Sequence, residues 1–96
     1  MLRITTHYIN SSSVELKLAG RIETEEAALL EGELRRLLRD GTLSLLDLED
    51  IQFINRVGLD LLKRWVDKGL QLRGGSAFIQ RMLAANGLEG GAQAHR

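Results

Sequence analysis

The sequence predicts a small α/β domain with element order β-β-α-β-α-β-α and a mixed four-stranded sheet packed by helices. Three observations carry this. Two alternating apolar-polar segments open the chain with only Asn10-Ser11-Ser12-Ser13 between them. Two stripes of helical period then alternate with short apolar runs. Strand-helix-strand crossovers require parallel pairing, so the second, third and fourth strands run parallel while the first two form an antiparallel hairpin.

Leu2 to Ile9 alternates Leu2 and Ile4 with Arg3 and Thr5, which marks a strand. Val14, Leu16 and Leu18 alternate with Glu15 and Lys17 in a second, half-buried strand ending at Gly20. Thr24 is placed to cap the first helix, with Glu25 and Glu26 in its first turn and Arg35, Arg36 and Arg39 in its last, matching the helix dipole. Ala27, Leu30, Leu34, Leu37 and Leu38 form its inward stripe, and Gly41 stops it. Gly32 inside this helix costs about 1 kcal/mol relative to alanine, and a close packing contact is expected to justify it.

Leu43 to Leu48 is too apolar for a half-exposed strand and belongs in the middle of the sheet, followed by an acidic loop at Glu49 and Asp50. Ile51, Phe53 and Ile54 lead to Asn55, where the second helix starts, running from Arg56 to about Lys68. Leu59, Leu62 and Val66 face inward, and Asp60/Arg64 and Lys63/Asp67 are spaced as i,i+4 ion pairs. Leu70 and Leu72 make a short strand. Ser76 caps a third helix bearing Ile79, Met82 and Leu83, and Asn86-Gly87-Leu88 ends it. One domain is expected over residues 1–89, with residues 90–96 a flexible tail.

Thirteen basic and thirteen acidic residues cancel, which argues against a nucleic-acid partner. Ten of the thirteen bases are arginine, the cation favoured at protein interfaces. The absence of cysteine excludes disulfides, thiolate metal sites and cysteine catalysis. No signal-like segment opens the chain and no apolar run approaches the roughly 20 residues that span a bilayer, so a cytoplasmic protein without membrane insertion is expected.

Candidate chemistry is sparse. Asp47, Glu49 and Asp50 offer oxygens to a divalent ion, the basis of a rival reading as a small metal-dependent hydrolase, but a solvated acidic loop explains them more simply. His7 and His95 have no nucleophile spaced with them. Ser11 to Ser13 is a polar loop, and Gly74-Gly75 before Ser76 matches no phosphate-binding fingerprint. Trp65 is expected in the core, with partial exposure at an interface as the alternative. Arg56 stands out: a cation at the first turn of a helix faces the positive end of the dipole. Two compatible expectations follow: a salt bridge back to Glu49 or Asp50, and a contact role on the exposed rim of a binding surface.

The runs LAGRIETEEAALLEGEL, LLDLEDIQFINRVGLDLL and GLQLRGGSAFIQRMLAANGLE resemble the STAS family of bacterial anti-sigma factor antagonists. Gly20-Arg21, Ala27 to Leu30, Leu46-Asp47-Leu48, the frame of Ile54, Asn55, Gly58 and Leu59, and the closing Met82-Leu83 and Asn86-Gly87-Leu88 stand at the family's positions. The resemblance covers residues 1 to about 89. It implies a STAS-like fold, truncated after the third helix, and a non-catalytic protein-interaction domain without a cofactor.

The resemblance also implies a partner: an anti-sigma factor or kinase-like protein, or, as in the STAS subunit of lipid-transporting ABC systems, a transporter component. Regulated members carry a phosphorylated serine at the start of the second helix. Here Arg56 and Val57 occupy the hydroxyl positions and Asn55 replaces the aspartate, so neither position accepts a phosphoryl group. The implied partner surface comprises Glu49, Asp50, Asn55, Arg56, Val57 and Asp60. An open edge at the fourth strand, or the adjoining third helix, is expected to favour a homodimer.

Overall fold

The computed structural model describes residues 1–88. The tail expected at 90–96 therefore lies outside the described residues. The element order is β1 (Leu2–Asn10), β2 (Ser13–Ile22), α1 (Thr24–Arg39), β3 (Leu43–Ile54), α2 (Arg56–Val66), β4 (Gln71–Arg73) and α3 (Ala77–Ala85). The four strands lie in the spatial order β1-β2-β3-β4, antiparallel between β1 and β2 and parallel thereafter, as the crossovers require.

The helices cover one face of this sheet. Val14, Leu16 and Leu18 of β2 and Leu46 and Leu48 of β3 join Leu30 and Leu34 of α1, Leu59 and Leu62 of α2, and Ile79 and Leu83 of α3 in one core. Trp65 belongs to the same core, and its indole N–H donates to Glu31 at 3.4 Å. That carboxylate also meets Arg64 at 3.3 Å, so α1 and α2 are tied by one acidic residue. Burial alone would raise the Glu31 pKa; Arg64, Trp65 and Arg35 outweigh it and lower it.

The largest departure from expectation is β3. The segment expected to be an acidic loop at Glu49 and Asp50 continues as strand to Ile54. The reason is a mismatch in length. β3 spends 12 residues where β2 spends 10, and the register slips between Lys17 and Ala19 and again between Gly20 and Arg21. Each slip is a bulge, and each advances the inward position by one. Leu48, Ile51 and Ile54 are therefore the buried residues, at a spacing of three that alternation does not anticipate.

Smaller differences have local causes. The cap of α1 is Glu23 rather than Thr24, and the Glu26 carboxylate accepts the Glu23 backbone N–H at 3.3 Å in a capping box. Leu38 falls at the margin of the α1 stripe and is 51% exposed. α2 closes at Val66, short of Lys68. Arg64 pairs with Glu31 of α1 rather than with Asp60, and Asp60 pairs with Arg56 one turn earlier in α2.

Two glycines of the helices behave oppositely. A Cβ at Gly32 would meet nothing within 4 Å, so the expected packing contact is absent. Gly58 is the reverse: a Cβ there would stand 2.8 Å from Ile54 Cγ2, 2.9 Å from Ile22 Cγ2 and 2.9 Å from the Ile22 carbonyl oxygen. Gly32→Ala is accordingly expected to stabilise the domain by about 1 kcal/mol, read as a rise in melting temperature of several degrees. Gly58→Ala is expected to destabilise it by roughly 1–3 kcal/mol, because a backbone carbonyl cannot move aside as a side chain can. Thermal unfolding of the two variants beside the parent checks both signs.

Candidate functional site

The end of β3 delivers Asn55 to the start of α2. Its backbone N–H donates to the Ile22 carbonyl at 3.0 Å, which anchors the turn to the end of β2. Its side-chain oxygen accepts the Gly58 N–H at 2.9 Å, capping the helix, while its amide nitrogen lies 3.4 Å from Thr24 Oγ1. Asparagine suits the position because it combines an extended backbone with a short acceptor. With Gly58 pressed on Ile22 and Ile54, the first turn of α2 is fixed to β2, β3 and α1 at once.

On this fixed turn Arg56 and Val57 stand outward. The Arg56 side chain is 74% exposed, and Val57 is among the exposed apolar residues. No acidic residue occupies the first turn, so the cation is unfavourable for the dipole. Arg56 does not reach back to Glu49 or Asp50. It lies 3.3 Å from the side-chain oxygen of Asn86, at the end of α3, and 3.9 Å from Asp60 one turn on. These partners offset the dipole while leaving most of the guanidinium in solvent.

The six candidate residues fall into two groups. Asn55, Arg56, Val57 and Asp60 are together at the start of α2. Glu49 and Asp50 lie within β3, six and five residues before Asn55. The Glu49 carboxylate accepts the Gly75 N–H at 3.3 Å, bridging to the turn before α3, and Asp50 is exposed.

Three further residues border the helix start and were not apparent from sequence. Phe53 lies opposite Arg21 in the β2–β3 register, with the guanidinium 5.1 Å from its ring, and Arg21 pairs with Glu23 at 3.0 Å. Asn86 joins through Arg56. The Gly-Arg pair and the helix-ending asparagine were visible as motifs, but nothing in their spacing told which surface they share.

Of the carboxylates of the rival hydrolytic reading, Asp47 and Glu49 both approach Gly74, and Asp50 does not join them. Asp47 is 7% exposed, on the sheet face away from the helices. It accepts the Glu49 N–H at 3.0 Å and lies 3.4 Å from Arg73 and 3.6 Å from Lys17, while Arg73 also pairs with Glu15. Among the described residues no three metal-capable side chains gather at one point. His7 is exposed on β1, and His95 lies outside the described residues.

Burial acts to raise the Asp47 pKa, but the Glu49 N–H, Arg73 and Lys17 prevail and lower it. A carboxylate lowered in the folded state stabilises above its unfolded pKa and loses that contribution as pH falls through the folded value. Asp47→Asn is therefore expected to cost about 1 kcal/mol near neutral pH, and the gap to the parent should close as pH falls below about 4. Urea unfolding of both proteins across that range checks it.

No family model and no curated protein matches the sequence. Solved structures do. An anti-sigma factor antagonist from Mycobacterium paratuberculosis superposes with a TM-score of 0.80 at 18% identity, over 91% of this chain and 79% of that one. The anti-sigma factor antagonist SpoIIAA in its unphosphorylated form gives 0.76 at 15% identity, over 90% and 82%. A DUF3478-family protein from Shewanella loihica with a SpoIIAA-like fold gives 0.59 at 13% identity, over 88% and 75%. At these TM-scores the chain has the SpoIIAA-like STAS fold of the anti-sigma factor antagonists.

Proposed function

We propose that this domain is a non-catalytic protein-interaction module of the antagonist type, docking a partner protein through the start of α2. The observation that carries the reading is the exposed Arg56–Val57 pair on a turn immobilised by Asn55 and Gly58. A cation beside an apolar side chain on a rigid backbone loses little entropy on binding, and arginine is a frequent anchor of interfaces. Asp60, Phe53 and Arg21 form the rim, and Glu49 and Asp50 extend the surface along β3. The partner is an anti-sigma factor or kinase-like protein with an acidic, partly apolar surface.

The absence of any hydroxyl side chain from Ile54 to Asp60 makes the docking constitutive at this site. Phosphorylation of a serine there would add charge at the helix start, and neither Arg56 nor Val57 can take it. Incubation with ATP and an antagonist-directed kinase is expected to leave residues 54 to 60 unmodified by phosphopeptide mapping.

Arg56 itself gives the decisive measurement. Arg56→Ser is expected to change stability by less than about 1 kcal/mol, and Arg56→Glu to leave the melting temperature equal or slightly higher, since the new charge suits the dipole. Affinity capture from the native cell should then return a protein with the parent that both variants fail to retain. A large loss of stability in Arg56→Ser would make Arg56 a structural ion-pair partner and remove the basis of the reading.

A further inference from the structure

The two sheet edges are unequal. β4 offers only Gln71–Arg73, with Arg73 on it. β1 offers a regular strand from Leu2 to Tyr8, without proline and with Arg3 as its one permanent charge, and its register is disturbed only beyond Tyr8. Monomers blunt such an edge by shortening, charging or bulging it, and along most of β1 none of these is present.

Exposed apolar side chains gather along the same edge. Tyr8 is 63% exposed and Ile9 55%, and Leu29 of α1 is 67% exposed. Leu29 belongs to a stripe with Glu26, Glu33 and Arg36 that follows β1. Glu26 lies 3.1 Å from the Met1 amino group at one end. At the other end the Arg36 guanidinium is held charged first by Glu33 and then by the Tyr8 hydroxyl. Thr6 and Tyr8 lie on the helix side of the sheet yet remain exposed.

The backbone fixes which groups are free. The Arg21 N–H donates to the Met1 carbonyl at 3.0 Å, continuing the register that places Arg3 opposite Ala19 and Thr5 opposite Lys17. Bonded and non-bonded pairs alternate along an antiparallel ladder. Arg3, Thr5 and His7 therefore spend their polar groups on β2, while Leu2, Ile4, Thr6 and Tyr8 turn N–H and C=O outward.

We propose that β1 pairs antiparallel with β1 of a second copy of this chain, about a two-fold axis through Thr5, joining two sheets into one. This centre uses the whole regular stretch and stops where the register is disturbed. Leu2 bonds opposite Tyr8 of the second copy and Ile4 opposite Thr6, each pair built from outward-facing groups. Thr5 meets Thr5 in a non-bonded pair, where side chains approach most closely and threonine pairs are favourable. Tyr8 then covers Leu2 on the helix side, beneath the Leu29 stripes, and Arg3 faces His7 on the open side with no like acidic charges opposed. The start of α2 stays free, so the pairing is independent of the partner reading above.

The chain has no cysteine, which allows a clean cross-linking test on the full protein. Thr5→Cys is expected to form a disulfide-linked dimer under mild oxidation, and Gln71→Cys, on the opposite edge, to form no disulfide-linked dimer. Sedimentation equilibrium should show the parent dimerising within the micromolar range. Thr6→Pro removes an outward N–H and no bond to β2, so it should keep the fold and weaken dimerisation about 30-fold through two lost hydrogen bonds. Should that variant unfold, Thr5→Lys sets like charges face to face on the exposed side and is expected to weaken the dimer likewise. A parent that is monomeric at high micromolar concentration overturns the proposal, as does cross-linking of Gln71→Cys as fast as Thr5→Cys. A folded Thr6→Pro variant that dimerises like the parent overturns it too.

Discussion

The contact on which the rest of this structure depends is the seat of Gly58 on Ile22 and Ile54. No side chain larger than hydrogen lets the first turn of α2 come down to the carbonyl of Ile22. Once it does, Asn55 can cap the helix and bond to β2 in the same turn. Leu59 and Leu62, following one turn later, then land on the sheet, and Trp65 reaches Glu31. The core and the exposed helix start are thus two consequences of one close approach. The surface is rigid because the same atoms that display it also hold the domain together.

Charge is divided between structure and display. Asp47 and Glu31 are each surrounded by donors that lower their pKa values, and their ion pairs tie neighbouring elements together. Arg56, by contrast, has two long contacts and open solvent. Zero net charge therefore conceals an unequal arrangement, in which Asp47 and Glu31 are tied to several donors and a largely exposed cation sits at the helix start. Sequence counts cannot separate these uses, since the partners of Asp47 come from β2 and β4, far apart along the chain.

Much of the fold was legible because it rests on local chemistry. The alternation of Val14, Leu16 and Leu18, the α1 stripe, and the caps at Asn55 and Ser76 each state their element within a few residues. The second half of β3 was not, because two bulges convert an alternating pattern into a period of three that imitates a loop with apolar steps. Gly32 misled for another reason: a glycine in a helix looks purposeful, yet this one faces empty space. At the candidate site, Arg56 and Asn55 announced themselves through the helix they open. Phe53, Arg21 and Asn86 join them only through strand register and the return of α3, relations that no linear spacing encodes.

The bulges of β3 also bear on how this chain tolerates insertions and deletions. Between Leu48 and Ile54 each residue is counted: adding or removing one would turn Ile51 or Ile54 outward and rotate the start of α2 away from Ile22. The Ser11-Ser12 turn has no such bookkeeping, since its residues are exposed and its strands are registered by their own alternation. Length variation among related sequences should therefore collect at the first hairpin and spare the segment from Leu48 to Gly58. An alignment that places a gap there has misjudged the register rather than found a natural variant.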